Sequence, residues 1–252
     1  MPELSVILPA YNEGKAIAKT LKETSKVLDN ISPDWEIVVV DDGSRDDTFQ
    51  VAKKAAINDT RIRVLKLKKN QGKGQAIRSG FYASRGDLVT FIDADSAYHP
   101  KHLELLIQYM NKNGTDVVIG SKRHPESVIE YPLSRKFLSI GYNMLINLLF
   151  GLGLSDTQAG LKLFKREVLN EIFPRVLVKR YAFDVELLVN AKHCGYKIIE
   201  APVELKGLKS DGVKLKDILK IANDTAAVFY RLHILKYYDR EPNGENIHNH
   251  RL

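Results

Sequence analysis

EIVVVDDGSRDDT, residues 36–48, runs a block of β-branched apolar residues straight into two acids and a glycine, then into a polar turn that ends at Thr48. A short apolar run bounded by turn formers is the mark of a strand buried on both faces, as in a parallel sheet. Leu4 to Leu8, Glu36 to Val40, Ile62 to Lys66, Leu88 to Ile92 and Val117 to Ile119 all fit this pattern. The amphipathic segments Glu13 to Leu28, Asp47 to Ile57, Gly74 to Ser84 and Lys101 to Asn111 lie between them. This alternation predicts an α/β fold, a mainly parallel sheet flanked by helices. In such a sheet ligands bind outside the carboxyl ends of the strands. Asp41 and Asp42, and then Asp93 and Asp95, stand at two of those ends.

Composition narrows the classes further. With 44% hydrophobic and 27% charged residues among 252, the chain is neither disordered, nor collagenous, nor a disulfide scaffold. Its length suits one domain over residues 1–238 with a polar tail over 239–252. Thirty-eight Lys and Arg against 31 Asp and Glu leave +7, which fits an anionic partner: nucleic acid, a phosphorylated substrate or anionic lipid. Nucleic acid fits worst, because the cations are dispersed, aromatics do not interleave with them and acids occupy the strand ends. The single Cys194 forms no internal disulfide, and MPELSVILPAYNE lacks the basic start and long apolar stretch of a secretory signal, so a cytoplasmic location is expected.

Two later segments read as surfaces for a membrane. FLSIGYNMLINLLFGLGL, residues 137–154, has about the length of a membrane span but is interrupted by Asn, Gly and Ser, which suits a segment lying in the interface, with core packing as the alternative. Val213 to Tyr238 reads as a last amphipathic helix, with Leu215, Ile218, Leu219, Ala222, Ala226, Phe229 and Leu232 at spacings of three and four. Arg135 and Lys136 ahead of the tract, and the lysines of the helix, provide what peripheral attachment to an anionic membrane surface requires.

Three constellations bear on chemistry. In FIDADSAYHP, Asp93 and Asp95 are two apart at a strand end, so in extended geometry both carboxylates face one side, where Mg²⁺ or Mn²⁺ and a diphosphate would sit; D-x-D is also common in plain turns. In VVVDDGSRDDT, Asp41 and Asp42 can accept hydrogen bonds from a nucleobase imide or a ribose hydroxyl, or simply form the strand exit while Asp46 caps the next helix. KNQGKGQAIRSG sets Gly72, Lys73 and Gly74 ahead of a helix whose first amides would attract an anion, without the spacing of a Walker loop.

Taken together and in order, LSVILPAYNE, VVVDDGSRDDT, NQGKGQAIRSG and FIDADS resemble the family 2 glycosyltransferases with a GT-A fold. Further on, GSKRHPES, DTQAGLKLF and FDVELLVNAKHCGYKIIEAPV resemble the synthases that load a hexose onto dolichyl or polyprenyl phosphate, and DTQAGLKLF is nearer the dolichyl-phosphate β-glucosyltransferase branch than the mannose synthase branch. The resemblance implies a Rossmann-like sheet with a nucleotide-sugar half, residues 1–120, and an acceptor and membrane-facing half, residues 121–238. It implies inverting transfer of a hexose, glucose in preference, from a UDP- or GDP-sugar to a polyprenyl phosphate with Mg²⁺ or Mn²⁺. GDP-mannose as donor, or a polysaccharide or glycolipid hydroxyl as acceptor, is the alternative.

By position, the same resemblance implies that Pro9, Ala10, Tyr11, Glu13, Asp41 and Asp42 line the nucleoside pocket, with Lys73 and Arg78 beside it. Asp93, Ala94 and Asp95 span the ribose, diphosphate and metal, the metal resting on Asp93 and Asp95. Ser96 and Ala97 stand where mannose synthases carry Leu and Gln, which argues against mannose. Lys122, Arg123 and Arg135 take the acceptor phosphate. Asp184 and Glu186 are the acids on the acceptor side, to orient the acceptor or to act as base toward a hydroxyl; Asp184 as a helix cap is the plainer reading. A phosphate acceptor is already anionic and needs positioning and charge neutralisation more than a base.

Overall fold

A computed structural model describes residues 3–94, 98–129, 133–205 and 215–239, with backbone alone for 133–138 and 215–216. Asp95, Ser96, Ala97, the Arg135 and Lys136 side chains and the tail from residue 240 onward lie outside the described residues.

The strands are β1 (Leu4–Ala10), β2 (Trp35–Asp41), β3 (Ile62–Lys66), β4 (Leu88–Phe91), β5 (Val117–Ser121), β6 (Val128–Ile129), β7 (Lys162–Lys165), β8 (Ile198–Pro202) and β9 (Glu204–Leu205). Seven of them form one sheet in the order β3-β2-β1-β4-β7-β5-β8, and β6 pairs with β9 apart from it. Every neighbouring pair is parallel except the two made by β7, which runs antiparallel between β4 and β5. The predicted parallel strands are all present.

The helices are α1 (Ile17–Ile31), α2 (Thr48–Ala55), α3 (Lys73–Ala83), α4 (His102–Asn113), α5 (Leu133–Phe150), α6 (Arg166–Ile172), α7 (Phe183–His193) and α8 (Leu215–Phe229), the last continuing into a π turn over Tyr230–Ile234 and a 3-10 turn over Tyr237–Asp239. Side chains along β2 alternate between two cores: Val38 and Val40 join the cluster under α3, α6 and α7, while Ile37 and Val39 join the one under α1 and α4. That is why β2 is apolar at every central position rather than at alternate ones.

Two sequence expectations change. The first helix starts at Ile17 rather than Glu13, because residues 11–16 form a turn clasped to the turn after β2. The Asn12 amide donates to Ser44 Oγ, the Arg45 amide donates to Asn12 Oδ1, the Glu13 amide donates to Thr48 Oγ1, and the Gly14 amide donates to Asp46. The apolar tract is α5, and it divides by face: Asn143 and Ile146 are buried, whereas Met144, Leu145 and Leu148 are exposed. Neither reading of the tract is right for the whole of it. Among the described residues no helix is long and apolar enough to cross a membrane.

Candidate active site

The carboxyl ends of β1, β2 and β4 open into a cavity of about 500 Å³. Of the residues expected at the donor site, Pro9, Ala10, Tyr11, Glu13, Asp42, Lys73, Asp93 and Ala94 line it, and so does Asp184 from the start of α7. The parallel register of β1 on β2, with Ala10 opposite Asp41, brings the first two turns side by side at one rim.

Asp42 builds the wall rather than standing in it unpartnered. Its two oxygens accept the amides of Gln71 and Gly72, each at 2.8 Å, and so pin the loop ahead of α3. Gly72 holds φ at +102°, and a Cβ there would collide with the Lys179 carbonyl, so only glycine serves. The Gly74 amide donates to that same carbonyl at 3.0 Å, which leaves it unavailable to a phosphate. The loop therefore packs against a strap, residues 177–181, that sequence reading passed over. From it Arg180 and Tyr181 enter the cavity, with Asn70 and Ala76 on the facing side. No periodicity marks these positions; the nearest signal was the pair of basic residues and a tyrosine just before FDVE.

Several expected residues stand elsewhere. Asp41 is fully buried behind the wall: its Oδ1 accepts the Ser44 amide, and its Oδ2, 3.9 Å from Lys66 Nζ, has no hydrogen-bond partner. Asp42, one residue further from the strand, is the acid that reaches the cavity. Arg78 is turned away on α3, donating to the Val176 carbonyl at 3.0 Å and lying over the Tyr82 ring. Glu186 is wholly buried. It accepts the Leu177 and Val178 amides, Arg231 Nη2 at 2.9 Å and the Tyr238 hydroxyl at 2.5 Å, so it is a clamp inside the fold and not an acid of the acceptor side. Lys122 and Arg123 are outside the cavity wall. The first meets Asp156 at 3.3 Å, and the second donates to the Ser155 carbonyl and Ser139 Oγ, so both are engaged by the protein.

The polar floor is a set of acid and ammonium pairs. Lys73 Nζ lies 2.6 Å from Asp93 Oδ1, and Lys162 Nζ lies 2.6 Å from Asp184 Oδ1. Lys162 is 1% exposed on β7, between Leu161 and Leu163; a lone charge inside such a run requires a buried partner, a signal the sequence carried. Burial would push the Asp184 carboxyl up, but Lys162, with Lys73 and Lys122 further off, outweighs it and holds the group below the usual carboxylate range. Burial pulls Lys162 below the usual ammonium range, against the opposing pull of Asp184. Tyr98 is driven well above its ordinary value by burial and then by Asp156, with Asp93 and Asp184 adding to it. The aspartates thus converge around one phenol.

The family model for glycosyl transferase family 2 matches residues 5–173. The chain belongs to that family and is a glycosyltransferase. Among curated relatives, a dolichyl-phosphate β-glucosyltransferase of Trichomonas vaginalis, ALG5A, is 40% identical over 248 residues, covering 94% of this chain and 76% of that protein. The Homo sapiens dolichyl-phosphate β-glucosyltransferase is 36% identical over 227 residues, 84% of this chain and 69% of its own. Among solved structures, glucosyl-3-phosphoglycerate synthase of Mycobacterium tuberculosis with uridine diphosphate superposes with a TM-score of 0.71 at 21% identity, over 91% of this chain and 79% of that one. The same synthase with Mn²⁺ and UDP-glucose gives 0.68 at 22% identity, over 91% and 78%. The glycosyltransferase is therefore of the GT-A fold, as its motifs led one to expect.

Proposed function

We propose that this glycosyltransferase moves glucose, with inversion, from UDP-glucose to the phosphate of dolichyl phosphate or a related polyprenyl phosphate. The observation that carries the reading is the state of the acids: Asp93 and Asp184 both line the cavity with an ammonium group 2.6 Å away. Asp184, held below the usual carboxylate range, is a weak base, and Asp93 is tied to Lys73, so the floor is poorly equipped to deprotonate a sugar hydroxyl and well suited to an acceptor that arrives ionised. The names of the relatives point to the same acceptor and sugar. UDP-glucose, held by the similarly folded mycobacterial synthase, is the donor to test first.

Pro9, Ala10, Tyr11 and Ala76 give the base an apolar side to lie on, and Lys73 and Arg180 offer charge to the diphosphate. An oxygen of the acceptor phosphate forms the new bond to the anomeric carbon. The bond from that carbon to the diphosphate oxygen breaks, its electron pair leaves with the nucleoside diphosphate, and no proton transfer is needed. Asp93 is a hard oxygen donor in a polar cavity, and Gly160 keeps its Oδ2 uncrowded, since a Cβ there would collide with it. With Asp95, it is where Mg²⁺ or Mn²⁺ would be held. Such an ion supplies neutralisation of the charge that grows on the departing diphosphate.

Attachment to the membrane belongs to the same proposal. α5 and α8 lie together, joined by Tyr142 Oη to Thr225 Oγ1 at 2.9 Å and by the Phe150 and Phe229 rings. They leave Met144, Leu145, Leu148, Ile218 and Leu219 exposed, an apolar ridge where a lipid acceptor is met. The test is a panel of UDP-glucose, UDP-galactose and GDP-mannose with a short prenyl phosphate and a prenyl alcohol, with Mg²⁺, Mn²⁺ or excess chelator. A glucosylated lipid from UDP-glucose and the phosphate only, lost in chelator, is expected. Transfer from GDP-mannose alone, or to the alcohol, overturns the proposal.

A further inference from the structure

Lys162 stands inside the main sheet at the start of β7, with Phe91 of β4 beside it on one side and Ile119 of β5 on the other. Its ammonium group is shut off from solvent and donates to the Ala159 carbonyl and to Asp184 Oδ1, the latter at 2.6 Å. Resting on the function proposed above, we infer that Lys162 is the residue that keeps this enzyme from hydrolysing its own donor: it acts through Asp184, which without that ammonium partner would serve as a general base toward water.

Folding alone does not account for the pair. Apolar residues of the same size often stabilise a fold as well as a buried ion pair does, or better, so a place between Phe91 and Ile119 gives no reason for a lysine at 162. Nor is Asp184 needed to cap α7: the N-cap residue is Ala182, and no side chain bonds to that end of the helix. What the pair does is hold a carboxylate, its charge matched, at the wall of the cavity where the donor is bound. Asp184 keeps 17% of its side chain open, enough to meet a water molecule, whereas Lys162 lies behind it and is not part of the cavity wall.

That position invites a side reaction. With a general base at hand, the oxygen of water forms a bond to the anomeric carbon and its proton passes to the carboxylate. The bond from the carbon to the diphosphate oxygen breaks, and its electron pair leaves with UDP. The phosphate acceptor needs no base, so weakening the base discriminates between the two acceptors in favour of the phosphate. The other groups around Asp184 do not replace Lys162. Lys73 on α3 and Lys122 after β5 add positive charge from further off, but each already meets an acid, Asp93 at 2.6 Å and Asp156 at 3.3 Å. Tyr98 and Tyr142 stay un-ionised, their pKa values raised by burial first. The cation in contact with Asp184 is Lys162, and its removal leaves a desolvated carboxylate whose basicity rises.

The experiment follows release of UDP from UDP-glucose in saturating Mn²⁺ with no acceptor present, from pH 5 to pH 8. It compares the parent, Lys162→Met, Lys162→Gln and the double variant Lys162→Met with Asp184→Asn. Loss of the ammonium group should speed hydrolysis at least about tenfold, a part of the 10²–10⁴ that a positioned base contributes. The rate in Lys162→Met should climb with pH through a carboxylate limb and then level off, because only the ionised form accepts a proton. The parent, with Asp184 ionised throughout, should stay slow and flat. The double variant has no charge left in the pair and should return to the parent rate. Lys162→Gln keeps a donor toward Ala159 and Asp184 and serves as the neutral variant where Met fails to fold; an unchanged UDP affinity reports an intact donor cavity in each. Unchanged hydrolysis in the neutral variants overturns the inference. Faster hydrolysis that persists in the double variant overturns it too, since that marks a loosened site open to water. A parent that binds no UDP-glucose contradicts the proposed function alone, and the series is then run with the sugar nucleotide that does bind.

Discussion

Asp184 and Glu186 stand two apart in FDVE, and a helix turns about 200° over two residues, so they leave α7 on opposite sides. The family resemblance set both on the acceptor side, and it is the turn of the helix that separates them. Asp184 goes to the cavity and Glu186 to an interior lattice with Arg231, Tyr238 and the amides of the strap. Replacing Glu186 by Gln keeps the shape and leaves the half-buried Arg231 without its counter-charge. Breaking one side of a buried pair costs roughly 3–5 kcal/mol, so the urea midpoint should fall sharply. Transfer measured well below the new melting temperature should stay within a few fold of the parent. Unaltered stability with lost transfer would return Glu186 to the reacting groups.

Among the strands of the seven-stranded sheet, β7 was hidden from sequence. Its four residues, KLFK, are short and carry a lysine at each end, and the strand runs antiparallel between β4 and β5, so neither length nor alternation announced it. The parallel strands β1, β2 and β5 were legible because burial on both faces makes them apolar throughout. The strap at 177–181 was illegible for the opposite reason: its place is set by hydrogen bonds to distant residues, Gly74 and Glu186, which no local pattern encodes. A seam between α4 and β9 shows what such bonds do for stability. His102 is buried, its Nδ1 faces the His99 carbonyl at 2.8 Å, and its Nε2 accepts the Glu204 amide at 2.9 Å, an arrangement that requires the neutral ring. Burial, with Lys101 adding to it, outweighs the His99 carbonyl and Glu204 and holds its pKa below the ordinary 6.5. The unfolded chain therefore binds this proton first, so the contribution is present above pH 6.5 and is lost as the pH falls below it. Melting temperature should decline from pH 7.5 to pH 5.5, with the decline smaller in His102→Gln; identical pH dependence in the two proteins would remove the assignment.

The molecule as a whole combines a net charge of +7 with an apolar ridge on α5 and α8, and the two act on a bilayer by different laws. The ridge is short: Leu148 is 83% exposed and Leu219 is 64% exposed, whereas Phe150 is half-buried against Phe229. Burying one leucine contributes about 1.5–3 kcal/mol at full coverage, and each lysine near an anionic surface about 1 kcal/mol. Attachment should therefore need both, and the protein should sediment with vesicles containing phosphatidylglycerol and only weakly with neutral ones. Raising salt from 0.1 M to 1 M shortens the Debye length from about 10 Å to about 3 Å, which removes the charge share and releases part of the protein. Leu148→Ser with Leu219→Ser removes the apolar share. Because both side chains already face solvent, the melting temperature should stay within a degree or two and UDP affinity should not move, while vesicle binding and use of a long-chain prenyl phosphate fall together. A short, water-soluble prenyl phosphate should be used as well as before, because it never has to be collected from a bilayer. Loss of activity toward the short and long acceptors alike would place these leucines in the path of the reaction, and undiminished vesicle binding would leave the ridge without its membrane.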